Sequence, residues 1–350
     1  MKNRIKADYS LLSKYRSELM GFASILIVLF HSNTVFRYGN YNQYYKIFIY
    51  QQNIGVEIFL IVSGIGLYFS LSKSNFNFKE YYIKRILNVY LTYLIISLPL
   101  FMFYNIKISG SVIDFIVDWT GIGFFTGKRY PSGNHGGWYV MFIMVMYALY
   151  PLIFKVQKLL EKVKADLIVL CIFTVAFVLA CWYVPEKHKE VYSFYEVAIT
   201  RIPVFLIGSY MGKLVYNKEK FSYGTYLTSI IGTVILILSI RATILKTEIA
   251  FILPRFHKML FAVVLCIVFA LIMALLNKPL LEKILVFFGS MSLELYLTHN
   301  LANGLLFKEG HCHGLGQYLI IVGVSIPISR FISKLRGLII KKYQKEISRK

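Results

Sequence analysis

The feature that most constrains this chain is a series of apolar runs, each about as long as a bilayer-crossing helix, recurring from one end to the other. Lipid offers an exposed backbone nothing to bond to, so only helices and closed barrels cross it. A crossing helix needs about 20 residues and a crossing strand only about ten, so runs of this length read as helices. They fall at about 19–37, 54–72, 86–105, 138–155, 166–185, 202–217, 224–243, 259–276, 283–300 and 317–334. The expected fold is therefore all-α, a polytopic bundle of about ten transmembrane helices. It forms a single membrane-embedded domain over 1–350, with 1–18 as a cytoplasmic N-terminal segment and 335–350 as a basic C-terminal tail.

Charge narrows the function classes. Only 16% of the residues are charged, well below the roughly 25% of soluble domains. The formal net charge of +22 would suggest nucleic acid in a soluble protein. Here the basic residues lie mainly between and beyond the apolar runs, where they set topology and attract anionic membrane lipids. No basic module stands apart from the spans, so nucleic acid is not an expected partner. Roughly 25 of the 39 Lys and Arg residues fall in 1–18, 73–85, 155–165, 213–223, 277–283 and 334–350, which orients both termini to the cytoplasm; the expected location is the plasma membrane. The first run is too long for a signal-peptide core and no small-x-small site follows it, so it reads as a retained span. Cys171, Cys181, Cys266 and Cys312 are scattered and give neither a disulfide framework nor zinc spacing. His311-Cys312-His313 are loop neighbours rather than a metal site, and no metal is expected.

Three connections carry features of their own. Val112 to Phe125 is apolar but interrupted by Asp114, Asp118, Gly121 and Gly123, so it reads as an interfacial or re-entrant piece. Gly133-Asn134-His135-Gly136-Gly137 reads either as a loop tip or as a lid over an outer cavity. In the tail, Leu338, Ile339, Ile340 and Tyr343 alternate with lysines, which suits an amphipathic helix along the inner leaflet or a solvated tail.

Ionisable groups inside spans are costly and are functional candidates by default. His31 lies deep in the first run, on a partly polar face with Met20 and Ser24. The topology puts it in the outer half of the membrane. The same level is expected for Glu57, one turn into the second span, Trp138 at the start of the fourth, Arg201 at the mouth of the sixth, and Glu294 and His299 in the ninth. Two acids, an arginine and two histidines can neutralise one another, which offsets the cost of burying each. They also suit proton transfer. Glu57 or Glu294 would orient His31, Arg201 or Tyr296 would stabilise an oxyanion, and Tyr139 adds a hydroxyl donor. A salt-bridged bundle without chemistry is the plainer reading of the same residues. Lys84 and Arg85, at the inner start of the third span, are topogenic charge or contacts for the phosphates of a cytosolic donor.

With these pieces in order the chain resembles the integral membrane acyltransferases of acyltransferase family 3. The matching stretches are Gly21 to His31, Gly55 to Gly64, Tyr81-Tyr82-Ile83-Lys84-Arg85, Trp138-Tyr139 with Tyr150-Pro151, Arg201 to Gly208, and Ser292 to His299. The resemblance implies an O-acyltransferase of cell-surface or lipid-linked glycans, transferring groups other than aminoacyl groups, acetyl most often. Acyl-CoA is implied as cosubstrate, with no tightly bound cofactor. His31 is implied as the essential histidine and general base, Glu57 as the second-helix acid, and Lys84 and Arg85 as the donor-binding motif. Trp138, Tyr139, Tyr296, His299 and Arg201 then position substrate or stabilise the oxyanion. Met20 and Asn88 stand where the family often has arginines. Two alternatives share these features: a transporter or flippase of a lipid-linked glycan, and a catalytically inactive relative.

Overall fold

The computed structural model describes residues 7–32, 43–126, 137–187, 195–244, 249–306 and 314–347, and its regular elements are all helical. In chain order the main helices are α1 (Arg16–His31), α2 (Gly55–Leu71), α3 (Phe78–Ile108), α4 (Val112–Trp119), α5 (Gly137–Lys162), α6 (Asp166–Lys187), α7 (Ile202–Tyr216), α8 (Tyr223–Ile244), α9 (Ile249–Leu276), α10 (Pro279–Gly289), α11 (Ser292–Leu306) and α12 (Leu315–Ile347). Along α3 the backbone widens into π turns at Ile86–Tyr90 and Met102–Ile108.

Seven helices among the described residues are long and apolar enough to cross a membrane: Ile47–Leu71, Phe78–Ile108, Gly137–Lys162, Tyr195–Tyr216, Tyr223–Arg241, Phe256–Leu276 and Leu315–Lys345. The protein is thus an all-α, polytopic integral membrane bundle. Seven of the ten expected runs meet this measure, and one of the others is corrected outright. The run at 283–300 is not one helix; it breaks between Gly289 and Ser292. A Cβ at Gly289 would lie 2.0 Å from the Ser17 carbonyl oxygen, so only glycine permits that approach. On the other side of the break, Ser333 Oγ donates to the Ser290 carbonyl at 2.9 Å and satisfies a group the interrupted ladder leaves open. Residues 335–347 of the tail are helical and continue α12, which runs from Leu315 to Ile347. The segment at 112–125 forms the eight-residue α4 and a 3-10 turn, Ile122–Thr126, too short to span. Gly133 to Gly136 and His311-Cys312-His313 lie outside the described residues.

Two compact units interleave along the chain, one of residues 1–26, 52–76 and 150–289, the other of 27–51, 77–149 and 290–350. In the first, α2 and α7 form the tightest helix pair. Gly208 and Gly212 give α7 a small-xxx-small face, and Gly64 of α2 meets it; a Cβ at Gly208 would lie 2.6 Å from the Ile61 carbonyl oxygen. Polar side chains bond across the same unit: Tyr150 Oη to Ser209 Oγ at 2.7 Å, and Lys213 to Asp166 at 2.5 Å. In the second unit α11 packs on α12 and on the Leu91–Phe101 part of α3. Thr298 and Ser329 share a buried hydroxyl bond of 2.6 Å between α11 and α12. The α4 segment is tied to α3 by Trp119 Nε1 donating to the Leu94 carbonyl at 2.8 Å and by Asn105 Nδ2 donating to Asp118 Oδ2 at 2.7 Å.

Replacing Gly208 by Ala should lower stability in detergent by about 1–3 kcal/mol, because the clash with backbone outweighs alanine's better helix propensity. Gly323→Ala, where nothing lies within 4 Å of the added carbon, should be neutral or slightly stabilising. Equal thermal midpoints for the two variants would contradict this packing. A second outcome concerns Asp118, which lies outside the spans. Burial pushes its carboxyl up from 3.8 to about 6, against the lowering pull of the Asn105 bond. An acid whose folded-state value is raised contributes stability while protonated and loses it as pH rises through that value. Hydrogen-exchange protection factors over 111–126, corrected for the intrinsic base-catalysed rate, should therefore fall from about pH 4 to 7, and Asp118→Asn should remove that fall.

Candidate active site

In the second unit two histidines 268 positions apart in the chain meet. His299 Nε2 lies 2.9 Å from His31 Nδ1, with ring centroids 4.7 Å apart. Each ring also bonds back to its own helix. His31 Nδ1 is 2.9 Å from the Ile27 carbonyl, and His299 Nδ1 is 2.6 Å from the Leu295 carbonyl. Carbonyl oxygens only accept, so each Nδ1 must carry the proton when its ring is neutral. His299 Nε2 is then an acceptor, and His31 Nδ1–H is shared between it and the Ile27 carbonyl. By elimination, Nε2 is the basic nitrogen of His31. Two backbone carbonyls thus do for these rings what a carboxylate does for the histidine of a hydrolase triad.

An aromatic series leads to the pair. Trp138 meets Tyr139 at 6.0 Å between centroids, Tyr139 meets Tyr296 at 5.5 Å, and Tyr296 meets His299 at 6.1 Å. Five of the expected residues, Trp138, Tyr139, Tyr296, His299 and His31, are therefore neighbours within one unit. A cavity of about 10 Å³ lined by His31, His299, Asn300, Asn303, Tyr318 and Ile321 adjoins the rings. That is roughly the space one water needs, so any larger group must displace side chains to reach His31 from this side.

The two acids keep other company than the histidine. In the first unit Glu57, at the first turn of α2, pairs with Arg201 at 3.1 Å, and both side chains are buried. Arg201 precedes α7 and also donates from Nη1 to the Val197 carbonyl at 2.6 Å. One turn before Glu57, Asn53 accepts from the ammonium of Lys258, which is buried beside His257. His257 in turn is 3.1 Å from Ser239 Oγ. Lys258 and His257 escaped the sequence reading because they directly precede the apolar run at 259–276 and pass for its polar flank. An ammonium beside an imidazole at the head of the most apolar helix was the available signal.

Glu294 is fully buried in the second unit, and its partner is Arg336 Nη1 at 2.9 Å. It lies five residues before His299 on α11, about 7.5 Å along the axis. The break before Ser292 makes Glu294 a first-turn residue, where the helix dipole favours a carboxylate. Arg336 Nη1 also donates to the Asn88 carbonyl at 3.3 Å, and Asn88 Nδ2 donates to the Lys84 carbonyl at 2.6 Å. Arg85 lies over the rings of Tyr81 and Tyr147, at 4.7 and 5.7 Å from their centroids. Arg336 was read as one charge of the tail. Its signal was position: Ser325, Ser329, Ile332 and Arg336 lie on one face of a helix.

Among the described residues no group of three or more His, Cys, Asp or Glu is placed to hold a metal ion. No curated protein and no solved structure matches the chain. A family model does: the acyltransferase domain of acyltransferase family 3 matches residues 19–333, nearly the whole of this helical bundle, and the chain belongs to that family.

Proposed function

We propose that the protein is an O-acyltransferase of the plasma membrane that moves an acyl group, acetyl foremost, from acyl-CoA to a hydroxyl of a cell-surface or lipid-linked glycan. Membership of the family supports acyl transfer in general. The observation that carries the finer reading is the histidine pair, whose carbonyl bonds make Nε2 of His31 the basic nitrogen. A sugar hydroxyl is a weak nucleophile at neutral pH and needs a base as it attacks.

In the proposed step the acceptor oxygen bonds to the thioester carbonyl carbon while its proton passes to His31 Nε2. The carbonyl becomes a tetrahedral oxyanion. Collapse of that intermediate breaks the carbon–sulfur bond, and the departing CoA thiolate takes the proton back from the imidazolium. One carbon–oxygen bond forms and one carbon–sulfur bond breaks, the electron pair of the broken bond leaves on sulfur, and the hydroxyl proton ends on the CoA thiol, so no further reactant is needed. His31 bears the positive charge meanwhile, and its Nδ1–H bonds to the Ile27 carbonyl and His299 strengthen as it does. Tyr296, in the same unit, is a proposed donor to the oxyanion. Trp138 and Tyr139 are proposed to position the acceptor, and Lys84 and Arg85 to hold donor phosphates. Arg201 as an alternative oxyanion donor and Glu57 or Glu294 as an orienting acid remain proposals that rest on the sequence reading. The basic inner segments support termini on the cytoplasmic side, where acyl-CoA is made available.

Mass spectrometry of surface polysaccharide checks the base. His31→Ala should cut acylation by about 100-fold or more while leaving insertion and expression intact, the range of a lost general base. His299→Ala should cost less, about tenfold, because the Ile27 carbonyl still holds the His31 tautomer. Normal acylation by the His31→Ala protein would remove it from the role.

A further inference from the structure

The guanidinium of Arg336 is only partly used by the contacts that bury it. A counter-ion whose sole task is to neutralise a carboxylate does best in a bidentate pairing, two N–H groups on two oxygens. Arg336 instead reaches Glu294 Oε1 and the Asn88 carbonyl with Nη1 alone. Among the described residues its Nε and Nη2 donate to no other group, and a fifth of its side chain remains accessible. Three N–H bonds of a planar fork are therefore held in a set orientation by a buried acid.

Where that fork sits gives it a ligand. Asn88 belongs to the π turn Ile86–Tyr90, a widened stretch of backbone of the kind that often marks functional positions. Lys84 and Arg85 lie one turn earlier, four and three residues before Asn88, and so share its face of α3. Arg336 comes to that face from α12. One turn of α3 thus gathers two arginines and a lysine, with Lys84 exposed and the ring of Tyr81 beneath Arg85. Cations crowded in this way favour an anion with several oxygens, and guanidinium forks match phosphate.

We propose that Arg336 is a phosphate-binding residue that, with Lys84 and Arg85, holds the phosphates of the CoA donor at the start of α3. The assignment rests on the acyl-CoA reading above. Glu294 is then a positioning residue that aims the fork. The same chemistry would also accept the headgroup phosphate of an anionic lipid, and the test separates the two.

The measurement is equilibrium binding of radiolabelled CoA to the full-length protein in nanodiscs of zwitterionic lipid. Arg336→Gln should weaken binding about 10- to 100-fold, the range for a lost charge-assisted bond. Because that variant strands Glu294, the doubly neutral Glu294→Gln/Arg336→Gln protein is measured beside it and should show the same loss. Glu294→Gln alone keeps the cation but no longer aims it, so it should weaken CoA binding measurably, by about three- to tenfold, and less than Arg336→Gln does. Unchanged affinity of Arg336→Gln for both CoA and 3′-dephospho-CoA overturns the assignment and leaves the acyl-CoA reading standing. A loss in Glu294→Gln as large as in Arg336→Gln makes the pair structural and overturns it as well. If CoA binding is unchanged but thermal stabilisation by added phosphatidylglycerol disappears in Arg336→Gln, the residue reads lipid and the assignment to the donor falls. A wild-type protein that binds no CoA defeats the donor reading itself, and the assignment with it.

Discussion

Hydrocarbon gives a buried polar group no partner, so every ionisable side chain inside this bundle has to find its partner in the protein. Two sets of these groups do so differently. The carboxylates of Glu57 and Glu294 go to arginines, Arg201 in one unit and Arg336 in the other. His31 and His299 go to backbone carbonyls and to each other. Each kind of pairing has a different consequence. An ion pair fixes two helices but resists any change of charge. A neutral imidazole pair costs less to bury and can take up a proton when chemistry supplies one.

The helix geometry follows from the same constraint. Where a ladder is interrupted, a side chain fills in: the Ser290 carbonyl at the α10–α11 break is met by Ser333. That break is what places Glu294 in a first turn instead of mid-helix. The π turn at Ile86–Tyr90 leaves the Asn88 carbonyl able to accept from both Thr92 and Arg336. Irregular backbone inside a membrane bundle survives only where such partners exist, and here it coincides with the positions that gather charge.

Much of this was legible in the residues. Run length and charge bias identify a polytopic helical membrane protein, because lipid thickness acts on every span alike. His31 and His299 stand out as imidazoles in apolar helices, and Trp138, Tyr139 and Tyr296 as their aromatic company. What sequence does not carry is which distant groups meet. Glu294 is five residues from His299 and reads as its neighbour, yet its carboxylate goes to a guanidinium 42 positions further on. Periodicity alone does not reveal that partner, since Arg336 lies among residues that also read as a solvated basic tail. The break at Gly289 is similarly silent, because it depends on a close approach to Ser17 and not on any local turn signal.

For the base proposed above, the histidine pair and its carbonyl partners supply the orientation that a neighbouring carboxylate would otherwise give. A carboxylate beside His31 would orient the ring, but it would bring a full charge into the centre of the unit, to be compensated at every stage. The Ile27 and Leu295 carbonyls orient both rings with partial charges that the helices already possess. In the proposed step a positive charge is present only while His31 holds the acceptor's proton. In a medium that penalises lasting charge, the proposed base, ionised only briefly, is the cheaper device, and Glu57 and Glu294 hold arginines in place instead.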